Sequence, residues 1–99
     1  MNRSKRRLPP PNWLRAFEAA ARHLSFTRAA AELNITQSAV SHQIRHLEDL
    51  WGLKLFERHV RRLELTSAGS ALAPVMRDFF PRLEQTLDEL TSAGAPAAL

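Results

Sequence analysis

A mainly α-helical domain carrying a small two-stranded hairpin, with one long helix appended, is the architecture that three observations predict. Apolar residues recur at three- and four-residue steps over residues 13–24, 40–51 and 72–90, the spacing of one helix face. Between the last two segments Leu63 and Leu65 alternate with Glu64 and Thr66, the period of a strand. Short polar breaks rich in capping residues separate the helical segments.

The bulk composition sets bounds on this picture. Ninety-nine residues suffice for one small core plus an appended element. With 44% hydrophobic and 24% charged residues the chain reads as a soluble protein, expected in the cytoplasm. The absence of cysteine excludes disulfides and thiolate metal sites. Arg3, Lys5, Arg6 and Arg7 are followed by Pro9-Pro10-Pro11, where a signal peptide needs an apolar run. No segment approaches the roughly 18 apolar residues of a membrane span. Charge is uneven. Residues 1–62 hold 12 Lys and Arg against 5 Asp and Glu, a net +7, and residues 63–99 hold 2 against 5, a net −3. A basic body with a mildly acidic tail implies a polyanionic partner for the body and another task for the tail.

Taken in order, residues 1–8 form a basic arm and Pro9 to Pro11 an extended spacer that no helix includes. The domain proper spans 9–66. Its first helix starts near Asn12, a capping residue, and presents Trp13, Phe17, Ala20, Ala21 and Leu24 on one face. After His23–Phe26, Thr27 or Ser25 caps a short second helix over Arg28–Leu33, whose alanines admit a close neighbour. Asn34 suits a left-handed turn. Thr36 then caps a third helix, with Ile35 and Val40 as its hydrophobic staple and Gly52 at its end. Two short helices joined by so brief a turn form a helix-turn-helix, at about residues 26–45. Residues 54–66 read as a hairpin wing with a basic tip. Lacking Gly or Asn, that tip does not suit a tight two-residue turn. Arg58 has Glu57 and Glu64 as candidate partners.

The last helix is expected over 67–91, capped by Thr66. Its Leu72, Met76, Phe79, Leu83, Leu87 and Leu90 follow a near-heptad pattern, and Phe80 adds a second large ring. On an isolated helix these residues would be exposed, so they are assigned to a dimer interface. Pro74 and Pro81 should bend this helix, and residues 92–99 read as a flexible tail.

The third helix, 37–51, carries the site. Val40, Ile44, Leu47 and Trp51 fall within about 60° of one another and face the core. Opposite them, at about 100–200° from Val40, lie Ser38, Ser41, His42 and Arg45, with Gln37 projecting from the helix start. Short donors and acceptors concentrated near an entering helix end are what a DNA major groove requires. Glu48 and Asp49 come later, where the helix leaves the groove. Thr27 and Arg28, Thr36, and the wing residues Arg58, Arg61 and Arg62 are placed to meet phosphates or the adjacent minor groove.

These segments, Leu14–Ala21, Ser25–Ala30, Thr36–Ile44, Leu55–Arg58 and Leu65–Gly69, occur in the order found in the LysR-type transcriptional regulators, which the chain resembles over roughly residues 9–90. It is most similar to the branch containing the glycine-cleavage activator and the β-lactamase regulator, which also favours Pro-Pro before the first helix and Ser-His-Gln in the third. The resemblance implies a winged helix-turn-helix binding double-stranded DNA at an interrupted palindrome. It also implies a homodimer through the linker helix, compatible with a tetramer in a full-length form. Gln37, Ser38, Ser41 and His42 match the family's base-facing positions, although Ser38 stands where proline is often found. The family's larger effector-binding domain lies outside these residues, so no small-molecule effector is expected to bind them.

Three other readings compete with this one. Ser41, His42 and Asp49 are the residue types of a nucleophile triad, but Asp49 lies about 10 Å along the helix from His42, so an enzyme is not expected. His42 and His46 have metal-ligand spacing, and His23 and His59 complete a set of four; with no acidic partner clearly placed, no metal or other cofactor is expected. The third is a protein-interaction module built on the 67–91 helix, with only non-specific affinity for DNA.

Overall fold

The computed structural model describes the backbone of residues 8–98 and the side chains of residues 8–92, so most of the expected basic arm lies outside the described residues. Four helices and a hairpin follow in the order α1 (Pro11–His23), α2 (Phe26–Leu33), α3 (Gln37–Trp51), β1 (Phe56–Arg58), β2 (Leu63–Leu65) and α4 (Ser67–Ala98).

Helix α1 corrects the expectation for its start. Pro10 occupies the cap position without a side-chain bond, and Pro11 is already helical. The first turn accepts proline because its N–H would be unpaired there in any case. Asn12 therefore lies inside the first turn and caps nothing. At the other end Leu24 adopts a left-handed conformation, φ 48°, which carries it off the apolar stripe and leaves it exposed. Its stripe neighbours Phe17 and Ala20 are fully buried.

Between the two possible caps of α2, the structure chooses Ser25, whose Oγ accepts from the Arg28 N–H at 3.1 Å. The helix starts two residues earlier than expected, at Phe26, and Thr27 stands within it. Buried Ala29 and Ala30 let α1 and α3 pack closely. Asn34 takes the left-handed turn at φ 60°, and Thr36 Oγ1 accepts from the Ala39 N–H at 3.0 Å to open α3. Val40, Ile44 and Leu47 are fully buried, and Gly52 closes the helix at φ 67°.

One residue of α3 plays a part its sequence position did not announce. Glu48 is 8% exposed, and its carboxylate accepts from the Leu55 N–H at 2.8 Å and the Phe56 N–H at 3.4 Å. Its own carbonyl accepts from Gly52 and Leu53. The end of α3 and the start of the hairpin thus share one joint.

The hairpin is antiparallel, with Phe56 opposite Leu65, Glu57 opposite Glu64 and Arg58 opposite Leu63. Its strands are shorter than the expected wing. The His59 N–H donates to the Arg62 carbonyl at 2.9 Å across a tip with no positive φ, in keeping with the absence of Gly and Asn there. Leu55 and Phe56 anchor it in the core, the Phe56 ring standing edge-on to Phe17 and Phe26. The order of three helices, two-stranded hairpin and long helix is that of a winged helix-turn-helix followed by a linker helix.

Thr66 joins hairpin to α4, accepting from the Gly69 N–H at 3.0 Å while its hydroxyl donates to the Lys54 carbonyl at 2.6 Å. Pro74 and Pro81 sit within a single uninterrupted helix, which also continues past Ser92, where a flexible tail was expected. At 1.5 Å per residue α4 is roughly 48 Å long, and the domain body covers only its first part. Met76 and Phe80 are buried and Leu72 packs on the core, so these three, assigned from sequence to a dimer interface, are occupied within their own chain. Phe79, Leu83, Leu87 and Leu90, 44% to 64% exposed, remain uncovered together with Val75. One apolar stripe serves the body first and then projects beyond it.

Candidate nucleic-acid interface

Helix α3 and the hairpin enclose two adjoining concavities that share Phe26, Gln37 and Arg58. The first is lined by Gln37, Ser38, Ser41, His42 and Arg45, the whole set expected to face bases, with Phe26 and Arg58 completing it. The second runs from the α2 start, with Thr27 and Arg28, across to Arg58, Arg61 and Arg62 of the hairpin. Base-facing and phosphate-facing candidates, separated by up to 25 residues in sequence, therefore form one continuous cleft. Thr36 lines neither concavity, and its hydroxyl is engaged as the α3 cap.

Arg58 does not take up the alternative of an ion pair within the hairpin. Neither Glu57 nor Glu64 holds it; its guanidinium lies 4.8 Å from the centre of the Phe26 ring, with Nη1 3.5 Å from Ser41 Oγ. The period of two explains this. Arg58 falls on the same side of β1 as buried Phe56, toward α2 and α3, while Glu57 falls on the other. Glu64 instead receives Arg62 Nε at 3.0 Å and His59 Nε2 at 3.2 Å. Arg61 is exposed and makes no ion pair with any described residue. Phe26 was absent from the expected site; its signal was an aromatic residue between the polar Ser25 and Thr27 at a helix start. A ring face holding a guanidinium fixes a charge that would otherwise sweep freely.

An ionic network joins α1 to α2 beside the cleft, with His23 lining the second concavity. Arg22 makes paired bonds to Glu18 at 2.8 and 2.9 Å and to Glu32 at 2.7 and 2.9 Å, and His23 Nε2 lies 2.7 Å from Glu32. The hydrogen bonds from Arg22, then from His23, hold the Glu32 carboxyl down to about 2. The same bonds, that to Glu18 first, push the Arg22 guanidinium further up. Arg22 is thereby committed to tying α1 to α2.

The four histidines go to separate places. His42 and His46 lie one turn apart with ring centres 5.4 Å from each other and planes tilted by 39°, with Trp13 5.2 Å from His46, while His23 and His59 meet Glu32 and Glu64. Among the described residues no group of three or more His, Cys, Asp or Glu is arranged to hold a metal, and no helix is long and apolar enough to cross a membrane.

A helix-turn-helix whose second helix forms one wall of a basic cleft and whose hairpin forms the other defines a winged helix-turn-helix protein. Residues 11–70 match the family described as bacterial regulatory helix-turn-helix protein, lysR family. The chain belongs to that family. It is 53% identical over 94 residues to the glycine cleavage system transcriptional activator of Escherichia coli (strain K12), covering 95% of this chain and 31% of that protein. It is 57% identical over 79 residues to the HTH-type transcriptional activator AmpR of Pseudomonas aeruginosa, covering 80% of this chain and 27% of AmpR. The chain thus spans less than a third of the length of these relatives. Among solved structures, the BenM DBD in complex with catB site 1 DNA superposes with a TM-score of 0.81 at 29% identity, covering 86% of this chain and 96% of that one. Vibrio fischeri DarR in complex with DNA superposes with a TM-score of 0.77 at 30% identity, covering 89% and 30%.

Proposed function

We propose that this chain is the DNA-binding head of a bacterial LysR-type transcription regulator, acting as a homodimer on double-stranded DNA in the cytoplasm. Helix α3 enters the major groove with Gln37, Ser38, Ser41, His42 and Arg45 toward the bases. Thr27, Arg28, Arg61 and Arg62 meet the flanking backbone or minor groove, and Arg58 stands at the junction of the two sets. The observation that carries this reading is the single cleft uniting both sets of side chains. The family membership and the two DNA complexes among similar structures support it. Dimerisation is assigned to the uncovered part of α4, Phe79, Leu83, Leu87 and Leu90, rather than to the full heptad. No catalytic role and no small-molecule effector site is assigned to the described residues.

Selection of bound sequences from random DNA, followed by anisotropy titration, tests the reading. Ser41→Ala or His42→Ala should cost about 1–3 kcal/mol on the selected site and little on random DNA. Equal losses on both would show that this face does not read sequence. Affinity should also fall linearly with salt on a log–log plot. A salt-insensitive chain would favour the other reading, a protein-interaction module using the exposed α4 stripe. Leu83→Glu should convert dimer to monomer by light scattering; an unchanged mass sinks the assigned interface.

A further inference from the structure

We infer that Thr27 is a positioning residue for sequence reading: it orients the Gln37 side-chain amide so that donors, not the carbonyl, face the base. This rests on the DNA-binding reading above. Thr27 lies in the first turn of α2 and Gln37 at the first position of α3, on opposite sides of the turn. The Thr27 hydroxyl donates to Gln37 Oε1 at 3.1 Å. Ser25, not Thr27, caps α2, so the Thr27 hydroxyl is not consumed by a backbone N–H. Both residues are exposed and line the second concavity, while Gln37 also lines the first.

The consequence is chemical. A freely rotating glutamine amide pairs best with adenine, accepting from N6–H with its oxygen and donating to N7 with its nitrogen. That bidentate pattern needs oxygen and nitrogen side by side on the same edge. Once Oε1 is turned back toward Thr27, the –NH2 is what remains for the groove, and it offers donors only. Guanine, with N7 and O6, and thymine, with O4, present acceptors to match; cytosine presents an opposing donor and is rejected. Adenine keeps only its N7 contact and loses its advantage. Holding the amide also removes its side-chain freedom before DNA arrives, which favours the bound geometry. Threonine suits the task because its branched Cβ leaves few χ1 choices at a helical position, and its hydroxyl keeps lone pairs for a phosphate while donating to Gln37.

Selection from random DNA with four forms of this chain tests the inference. Gln37→Ala identifies the base position that Gln37 reads, as the one whose preference collapses. At that position the parent should select guanine or thymine. Thr27→Val, matched in shape but unable to donate, should shift the preference toward adenine by roughly three- to tenfold, the range of one hydrogen bond. Thr27→Ser should restore the parent preference. A uniform loss of affinity at unchanged preference in Thr27→Val would reduce Thr27 to a phosphate contact or structural residue and overturn the inference. So would adenine or cytosine dominating in the parent, or Thr27→Ser behaving like Thr27→Val. If the parent selects no sequence at all, the DNA-reading function itself fails, an outcome distinct from the others. Circular dichroism of each form checks that the fold is retained.

Discussion

Replacing Glu48 with alanine should loosen the hairpin from α3 and lower the stability of the whole domain. The carboxylate accepts from Leu55 at 2.8 Å and more weakly from Phe56 at 3.4 Å, and both residues are at most 4% exposed. A hydrogen bond to a charged acceptor contributes about 1.5–3 kcal/mol, and a buried N–H left without an acceptor costs a comparable amount. Counting the short bond in full and the long one in small part gives about 3 kcal/mol for Glu48→Ala. Glutamine keeps an oxygen in nearly the same place without the charge, so Glu48→Gln should cost only about 1 kcal/mol. For a domain of this size each kcal/mol moves the midpoint by roughly 4–8 °C, so alanine should lower Tm by at least about 12 °C. Thermal and urea unfolding followed by circular dichroism at 222 nm measures both. An alanine variant within about 0.5 kcal/mol of the parent would refute the joint, since ordinary surface substitutions cost no more than that. A glutamine variant as damaged as the alanine one would show that carboxylate charge or shape, not an acceptor at this position, is what matters.

Two further perturbations follow from the same structure. Gly69→Ala adds a Cβ that would sit 2.2 Å from the Leu55 carbonyl oxygen and 2.9 Å from Leu65 Cδ2. Although alanine favours a helix over glycine by about 1 kcal/mol, a backbone clash of this kind should leave the variant less stable by at least about 2 kcal/mol in urea unfolding; a gain in stability counts against the packing described. Glu32, held at about 2 against an ordinary 4.5, stabilises the fold at neutral pH and loses that contribution as pH falls from about 4.5 toward 2. Because its side chain is 39% exposed, screening reduces the effect to about 1 kcal/mol, so Glu32→Gln should be less stable than the parent by that amount at pH 7 and indistinguishable near pH 2. A constant gap across that range would show that the Arg22 network does not act through the Glu32 charge.

Much of the fold was legible in the residues themselves because its signals are local. Thr36, Gly52 and the stripe Val40, Ile44 and Leu47 define α3 from end to end, since capping and helical periodicity need no knowledge of the rest of the chain. Asn34 and Thr66 acted the same way at the turn and at the start of α4. Even the polar face of α3 followed by elimination, once its apolar face was committed to the core.

What only the tertiary structure decided concerns residues whose role depends on a neighbour distant in sequence. Local patterning admitted either Ser25 or Thr27 as the α2 cap; releasing Thr27 to reach Gln37 was settled by how α2 and α3 meet. Glu48 read as a charge leaving the groove because helical angle is silent about the Leu55 and Phe56 N–H groups that the chain folds back beneath it. The heptad of α4 was plain, but its division between core and exposed stripe was not, since the length of α4 that the body covers is set by how α1 packs against it. The sequence by itself determined the elements and the face of α3 turned outward. Only packing determined which side chains that face works with: Phe26 beneath Arg58, Thr27 behind Gln37. A helix's own periodicity specifies direction, and contact across elements requires distance as well.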